Sequence, residues 1–230
     1  MTSRILISAL FAGACAGAII GLLQLIFVQP VLLHAELYEA GDLVHFGAAS
    51  VSAQPELPGF DAMRDGLSVI FTMLTYTGYA LILTAAMCFA EDRGARIDGR
   101  WGILWGIAGF VAFHLAPGFS LAPEVPGVAA ADVALRQVWW FATVAAACGA
   151  LWLIAFNRSW TAWIAGAALL AAPHLIGAPE PETFTGPVPT EIGALFAARA
   201  LGIGLVAWVL LGAFAGYFWQ KEAGQSLQEA

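Results

Sequence analysis

Three stretches of the chain share one chemical pattern, a proline and a histidine followed by carboxylates. They are QPVLLHAELYE at 29–39, FHLAPGFSLAPE at 113–124 and PHLIGAPEPE at 173–182. Imidazole nitrogen and carboxylate oxygen suit divalent ions of intermediate softness, Co²⁺, Ni²⁺ or Zn²⁺, and Mg²⁺ less well. Sulfur is not part of the pattern. Cys15, Cys88 and Cys148 fall inside apolar runs, form neither a CxxC motif nor a disulfide framework, and read as packing.

His114 and His174 lead the candidate metal donors, because each closes an apolar run where an ionisable group tends to face a cavity or a bundle interior. Each also has a structural alternative, a hydrogen bond to a carbonyl freed by Pro117 or by Pro173. Glu36 and Glu39, with His34, are close enough in sequence to converge in an ordered loop, and equally fit the solvated face of a short interfacial helix. Two histidines also admit a haem, although such a site usually lies nearer mid-membrane. Arg199 follows Glu191 by about two helical turns. It either neutralises an outer carboxylate or snorkels to the interface. Thr72, Thr75, Tyr76 and Tyr79 make a polar stripe, which lines a hydrophilic path or bonds its own helix. Gly13, Gly17 and Gly21 form a small-xxx-small seam, a packing signal without chemistry. The only lysine, Lys221, has no glycine-rich loop before it, so a P-loop is excluded. HExxH is absent as well.

The elements that must position these residues are apolar helices. Of 230 residues, 60% are hydrophobic and 11% charged, against roughly 25% charged in a soluble domain. Uncharged or nearly uncharged runs cover 5–28, 67–90, 101–117, 137–156, 160–176 and 192–219, with an outer loop at 30–65. About 20 apolar residues cross a bilayer, so the expectation is an all-α polytopic helical membrane protein with about six transmembrane helices in a single transmembrane domain, 1–230. The fifth run is short. The first continues uncharged to Val28, too long for a signal-peptide core, and reads as a retained span; a lipoprotein site at Cys15 is disfavoured by Ala12 three positions before it. Trp139, Trp140, Trp160, Trp163, Phe218 and Trp219 sit near run ends and read as interfacial anchors.

With both termini cytoplasmic, Arg4, Arg93, Arg96, Arg100, Arg158 and Lys221 lie inside and only Arg64 and Arg136 outside, as the positive-inside rule requires. The acids then sort the other way: Glu36, Glu39, Asp42, Glu56, Asp61, Asp65, Glu124, Asp132, Glu180, Glu182 and Glu191 lie outside, with all four histidines. The net charge of −7 has no basic patch that would suit nucleic acid.

The segments LLQLIFVQPVLLHAELYE, GIAGFVAFHLAPGFSLAPEVPGVAAADVALRQVWW, AAPHLIGAPEPE and VPTEIGALFAARALGIGLVAWVLLG together resemble the CbtA family of predicted cobalt transporter subunits, over nearly the whole chain. Matching positions are Gln24, Pro30, Glu36 and Glu39, then His114, Pro117, Glu124, Pro126, Gly127, Asp132, Arg136, Gln137 and Trp140, then Pro173, His174, Gly177, Pro179 and Glu191. The resemblance implies cobalt uptake for corrinoid synthesis with a small, single-span, histidine-rich CbtB-like partner. It implies that His114 ligates or hands on the ion, while Glu124, Asp132 and Arg136 form the vestibule and Arg136 holds the acids when no cation is bound.

The resulting expectation is a multi-pass permease subunit of the bacterial inner membrane. It takes up Co²⁺, or Ni²⁺ or Zn²⁺, as cargo through His114, His174, Glu36, Glu39, Glu124 and Asp132. A polar seam that includes span two leads inward, no permanently bound cofactor is involved, and a homo-oligomer is compatible with the sequence. The alternatives are a membrane-embedded zinc metalloenzyme, built on His114, His174 and a carboxylate, and a non-transporting structural subunit of a larger complex.

Overall fold

A computed structural model describes residues 2–45 and 52–228. Its elements are α1 (Thr2–Phe27), α2 (Gln29–Glu39), α3 (Ala62–Glu91), α4 (Gly99–Phe110), a π-helical turn (Val111–Leu115), α5 (Ala116–Ser120), α6 (Val133–Phe156), α7 (Trp160–Ile176) and α8 (Thr190–Gln228), with no strand among the described residues. α4, the π turn and α5 run on as one apolar rod, Gly99–Ser120. This rod, α1, α3, α6 and α8 are long and apolar enough to cross a membrane, and the protein is a polytopic helical membrane protein. The fifth expected run, α7, has 17 residues and so a length of about 26 Å, short of the roughly 30 Å hydrocarbon core.

Local chemistry sets the helix ends. Pro30 has no N–H to give the carbonyl of Ile26, so α1 stops and the chain restarts as α2, whose first turn hangs on the Val28 carbonyl through Val31 N–H (3.1 Å) and Leu32 N–H (3.1 Å). The expected outer loop 30–65 is therefore corrected: it opens with a helix, because proline in a first turn costs no hydrogen bond. Residues 46–51 of that segment lie outside the described residues. Asp61 caps α3 by accepting from Arg64 N–H at 2.7 Å. Asp98 caps α4 by accepting from Arg100 and Trp101 N–H at 2.9 and 3.0 Å. Those bonds, with Arg96 beside it, hold the Asp98 carboxyl below the usual carboxylate range.

The chain divides into two compact units, Met1–Phe27 with Gly59–Phe110 and Gly202–Ala230, and Val28–Pro58 with Val111–Leu201. The first is built on glycine seams. Gly13, Gly17 and Gly21 of α1 lie against Thr77, Met73 and Val69 of α3, and a Cβ at either of the first two would enter α3 backbone. A second seam joins Gly102 and Gly106 of α4 to Gly212 and Gly216 of α8. Trp208 is 1% exposed; its ring covers Gly109 and stacks at 5.1 Å on Tyr79. At one end Arg4 ties three helices. It donates from Nε and Nη2 to the Trp219 carbonyl at 3.0 and 2.9 Å, lies 3.8 Å over the Trp219 ring and pairs with Glu91 at 3.3 Å.

One alternative about this unit is decided and one expectation changes. The stripe on α3 follows the reading in which it bonds its own helix: the Thr72 and Thr75 hydroxyls bond the carbonyls of Ser68 and Phe71, four residues back, and Thr75 is exposed. Thr72 also meets Gln24 Oε1 at 2.9 Å. The single hydroxyl proton of Thr72 therefore faces two acceptors, Gln24 Oε1 and the Ser68 carbonyl. Trp219, at 1% exposure, is core and not an interfacial anchor.

In the second unit α6 and α7 pack as a hairpin through a short link capped by Ser159, which accepts from Ala162 N–H at 3.3 Å. The inner face of α2, Ala35 and Tyr38, packs with Val125 and Val188, flanked by Leu43, Val128, Ile192 and Phe196. Loops 121–132 and 177–189 join through Ala129 N–H to the Thr185 carbonyl at 2.8 Å.

Replacing Gly106 by alanine puts a methyl group into the Trp208 carbonyl, whereas the same change at Gly78 meets nothing within 4 Å. Thermal unfolding in detergent should show Gly106→Ala destabilised by about 1–3 kcal/mol, and Gly78→Ala unchanged or slightly more stable.

Candidate metal-binding site

All six expected donors belong to the second unit. Pro117 cannot give an N–H to Phe113 and its ring crowds that carbonyl. The rod widens just before it into the π turn, which carries half-buried His114. Pro117 itself is buried in the first turn of α5, where its missing donor is harmless.

The last turn of α7 is fastened from two sides. The Pro173 carbonyl accepts from Gly177 N–H at 3.1 Å and from Trp139 Nε1–H of α6 at 3.3 Å. Trp139 is thus a buried tie, a correction to its reading as an interfacial anchor. His174 Nδ1 lies 2.8 Å from Ser120 Oγ at the end of α5. Its ring meets the rings of Phe119 at 5.1 Å and Trp139 at 6.0 Å, both close to perpendicular. The alternative in which His174 satisfies a proline-freed carbonyl is not what Nδ1 does: it meets a hydroxyl from another helix.

The carboxylates are engaged differently from one another. Glu124 Oε2 pairs with Arg136 Nη2 at 2.8 Å, and Arg136 Nε is buried without a hydrogen-bond partner. Asp132 is the N-cap of α6, its Oδ1 accepting from Ala134 and Leu135 N–H at 2.9 and 3.1 Å. Arg136 therefore holds Glu124, while Asp132 holds a helix. On α2, Glu36 is exposed, and the Glu39 stem lies against Gly127. Gly127 has φ 80°, a left-handed conformation that favours glycine, and a Cβ there would press on Glu39 at 3.2 Å and Pro187 at 3.4 Å. One turn of α2 back, His34 packs at 5.6 Å from the Tyr38 ring; its Nε2 is buried without a hydrogen-bond partner, and burial lowers its pKa.

The fold brings Glu39 to the loop that carries Glu124, and pins His174 to the end of α5. Among the described residues no three histidine, cysteine, aspartate or glutamate side chains form a group that could hold a metal ion. The imidazole and carboxylate groups of this unit are thus dispersed, not gathered into one cluster. Sequence reasoning missed Ser120 and the role of Trp139. A serine six residues after His114 carries no spacing signal that links it to a histidine 54 residues later.

Apolar spanning helices and the loops that connect them define a polytopic helical membrane protein. The family described as "Probable cobalt transporter subunit (CbtA)" matches residues 2–220, and the chain belongs to that family. No curated protein and no solved structure matches it. Membership supports a role in metal transport, and the word subunit in the family's description implies a partner.

Truncating Glu124 leaves the Arg136 guanidinium half-buried without its carboxylate. Glu124→Ala should lower stability by about 1 kcal/mol, read as a lower midpoint of thermal unfolding in detergent, with exposed Glu36→Ala unchanged.

Proposed function

We propose that the protein is the permease subunit that takes up Co²⁺ across the bacterial inner membrane for corrinoid synthesis, with both termini cytoplasmic and a small, single-span, histidine-rich CbtB-like partner. The observation that carries this reading is the family match over residues 2–220. The charge asymmetry supports the orientation, because eight of the nine basic residues lie outside the uncharged runs of the sequence and, with six crossings, six of those eight fall on one side, Arg4, Arg93, Arg96, Arg100, Arg158 and Lys221.

In this reading Co²⁺ is cargo. Glu36 and Glu39 draw the hydrated ion from the periplasm, and Glu124 exchanges its guanidinium partner for the ion. Asp132, whose Oδ1 serves the helix cap, adds negative potential. His114 and His174 then replace water ligands where the environment becomes apolar. Conduction needs binding favourable enough to strip water and weak enough to release the ion. Separate donors, taken one or two at a time, meet that requirement better than a closed cage.

The test is uptake of radioactive Co²⁺ into proteoliposomes that contain the protein and its partner. Wild type should accumulate the ion, and His114→Ala and His174→Ala should each slow initial uptake about tenfold or more. No uptake by wild type with the partner present would overturn the reading.

A further inference from the structure

We propose that Ser120 is a positioning residue for His174: its hydroxyl accepts the Nδ1–H proton, so that Nε2 carries the lone pair offered to a divalent cation. The inference rests on the reading of His174 as a metal donor and adds which atom donates and what fixes it.

The first step is geometric. Nδ1 lies 2.8 Å from Ser120 Oγ, so a metal ion cannot take that nitrogen without displacing the hydroxyl. The ring is flanked by those of Phe119 and Trp139, which meet it at 73° and 65°. Its backbone is held by the two bonds to the Pro173 carbonyl. The ring plane is therefore set by α5, α6 and α7 together, and Nε2 is left as the ligating atom.

The second step concerns the proton. A neutral imidazole has one donor and one acceptor nitrogen, and the partner of one nitrogen decides the state of the other. If the hydroxyl donated to Nδ1, Nε2 would carry hydrogen and could not ligate. A hydroxyl oxygen carries two lone pairs and a rotatable proton, so Ser120 Oγ, 2.8 Å from Nδ1, is able to accept the Nδ1–H bond. A hydrogen-bond acceptor on the far nitrogen is also what raises the basicity of a metal-binding histidine.

The test uses the full chain in detergent, with ¹⁵N-labelled histidine. The His174 signals are assigned by their loss in His174→Gln, and their shifts report which nitrogen carries the proton. Wild type should show Nδ1–H. Co²⁺ titration followed by calorimetry should show binding weakened about tenfold in Ser120→Ala, restored in Ser120→Thr, and weakened further in His174→Ala. An Nε2–H tautomer in the wild type overturns the proposal without reference to any variant. Co²⁺ affinity unchanged in Ser120→Ala but reduced in His174→Ala overturns the role of Ser120 while His174 remains a donor. Affinity unchanged in His174→Ala removes His174 as a donor, and the proposal with it.

Discussion

Inside a bilayer no water is available to a backbone amide or carbonyl, so any interruption of a spanning helix must be repaired from within the chain. The features described above follow from three such interruptions. Pro30 stops α1, and the Val28 carbonyl starts α2. Pro117 widens the rod into the π turn that carries His114. Pro173 lies in the last turn of α7, where an indole and an amide take up its carbonyl and the next side chain turns to Ser120. Each proline stands close to a histidine because the place where a helix is interrupted is also where a polar ring finds partners other than its own helix.

The same constraint governs the charges. Few of them are idle: Asp61, Asp98 and Asp132 satisfy the first amides of α3, α4 and α6, and Arg4 and Arg93 donate to carbonyls of α8 and α3. Asp65, only 4% exposed, accepts from Arg64 and from the Asp61 amide. A count of outward acids therefore overstates what is available to an ion. Glu36, Glu39 and Glu124 cap no helix end, and of the three Glu124 is engaged by a guanidinium, that of Arg136.

Close helix contact without polar groups is the work of glycine. The seam on α1 was legible because its three glycines recur every fourth residue. The pairs Gly102 with Gly106 and Gly212 with Gly216 have the same spacing, and they meet face to face across α4 and α8. Nothing local says which of two such seams faces another helix and which faces lipid. Aromatic residues show the same ambiguity. Trp160, at 73% exposure, lies on the surface as its position near a helix end suggests, whereas Trp139 and Trp219, equally close to helix ends, are buried.

The sequence by itself determined the class of protein, the apolar runs that become the spanning helices and α7, and the family, and it marked Pro30, Pro117 and Pro173 near the ends of those runs, but it did not show α2. All of these depend on composition, local stereochemistry or linear pattern. Only the tertiary structure decided that Glu124 belongs to Arg136, that Asp132 closes a helix, that Thr72 looks to Gln24 and that His174 is held by Ser120. Those pairings join residues whose separation in the chain carries no period, and they are set by which helix faces pack together. A helix's own sequence fixes where it starts and stops, whereas the neighbour that its polar groups meet is chosen by the close packing of the rest of the chain.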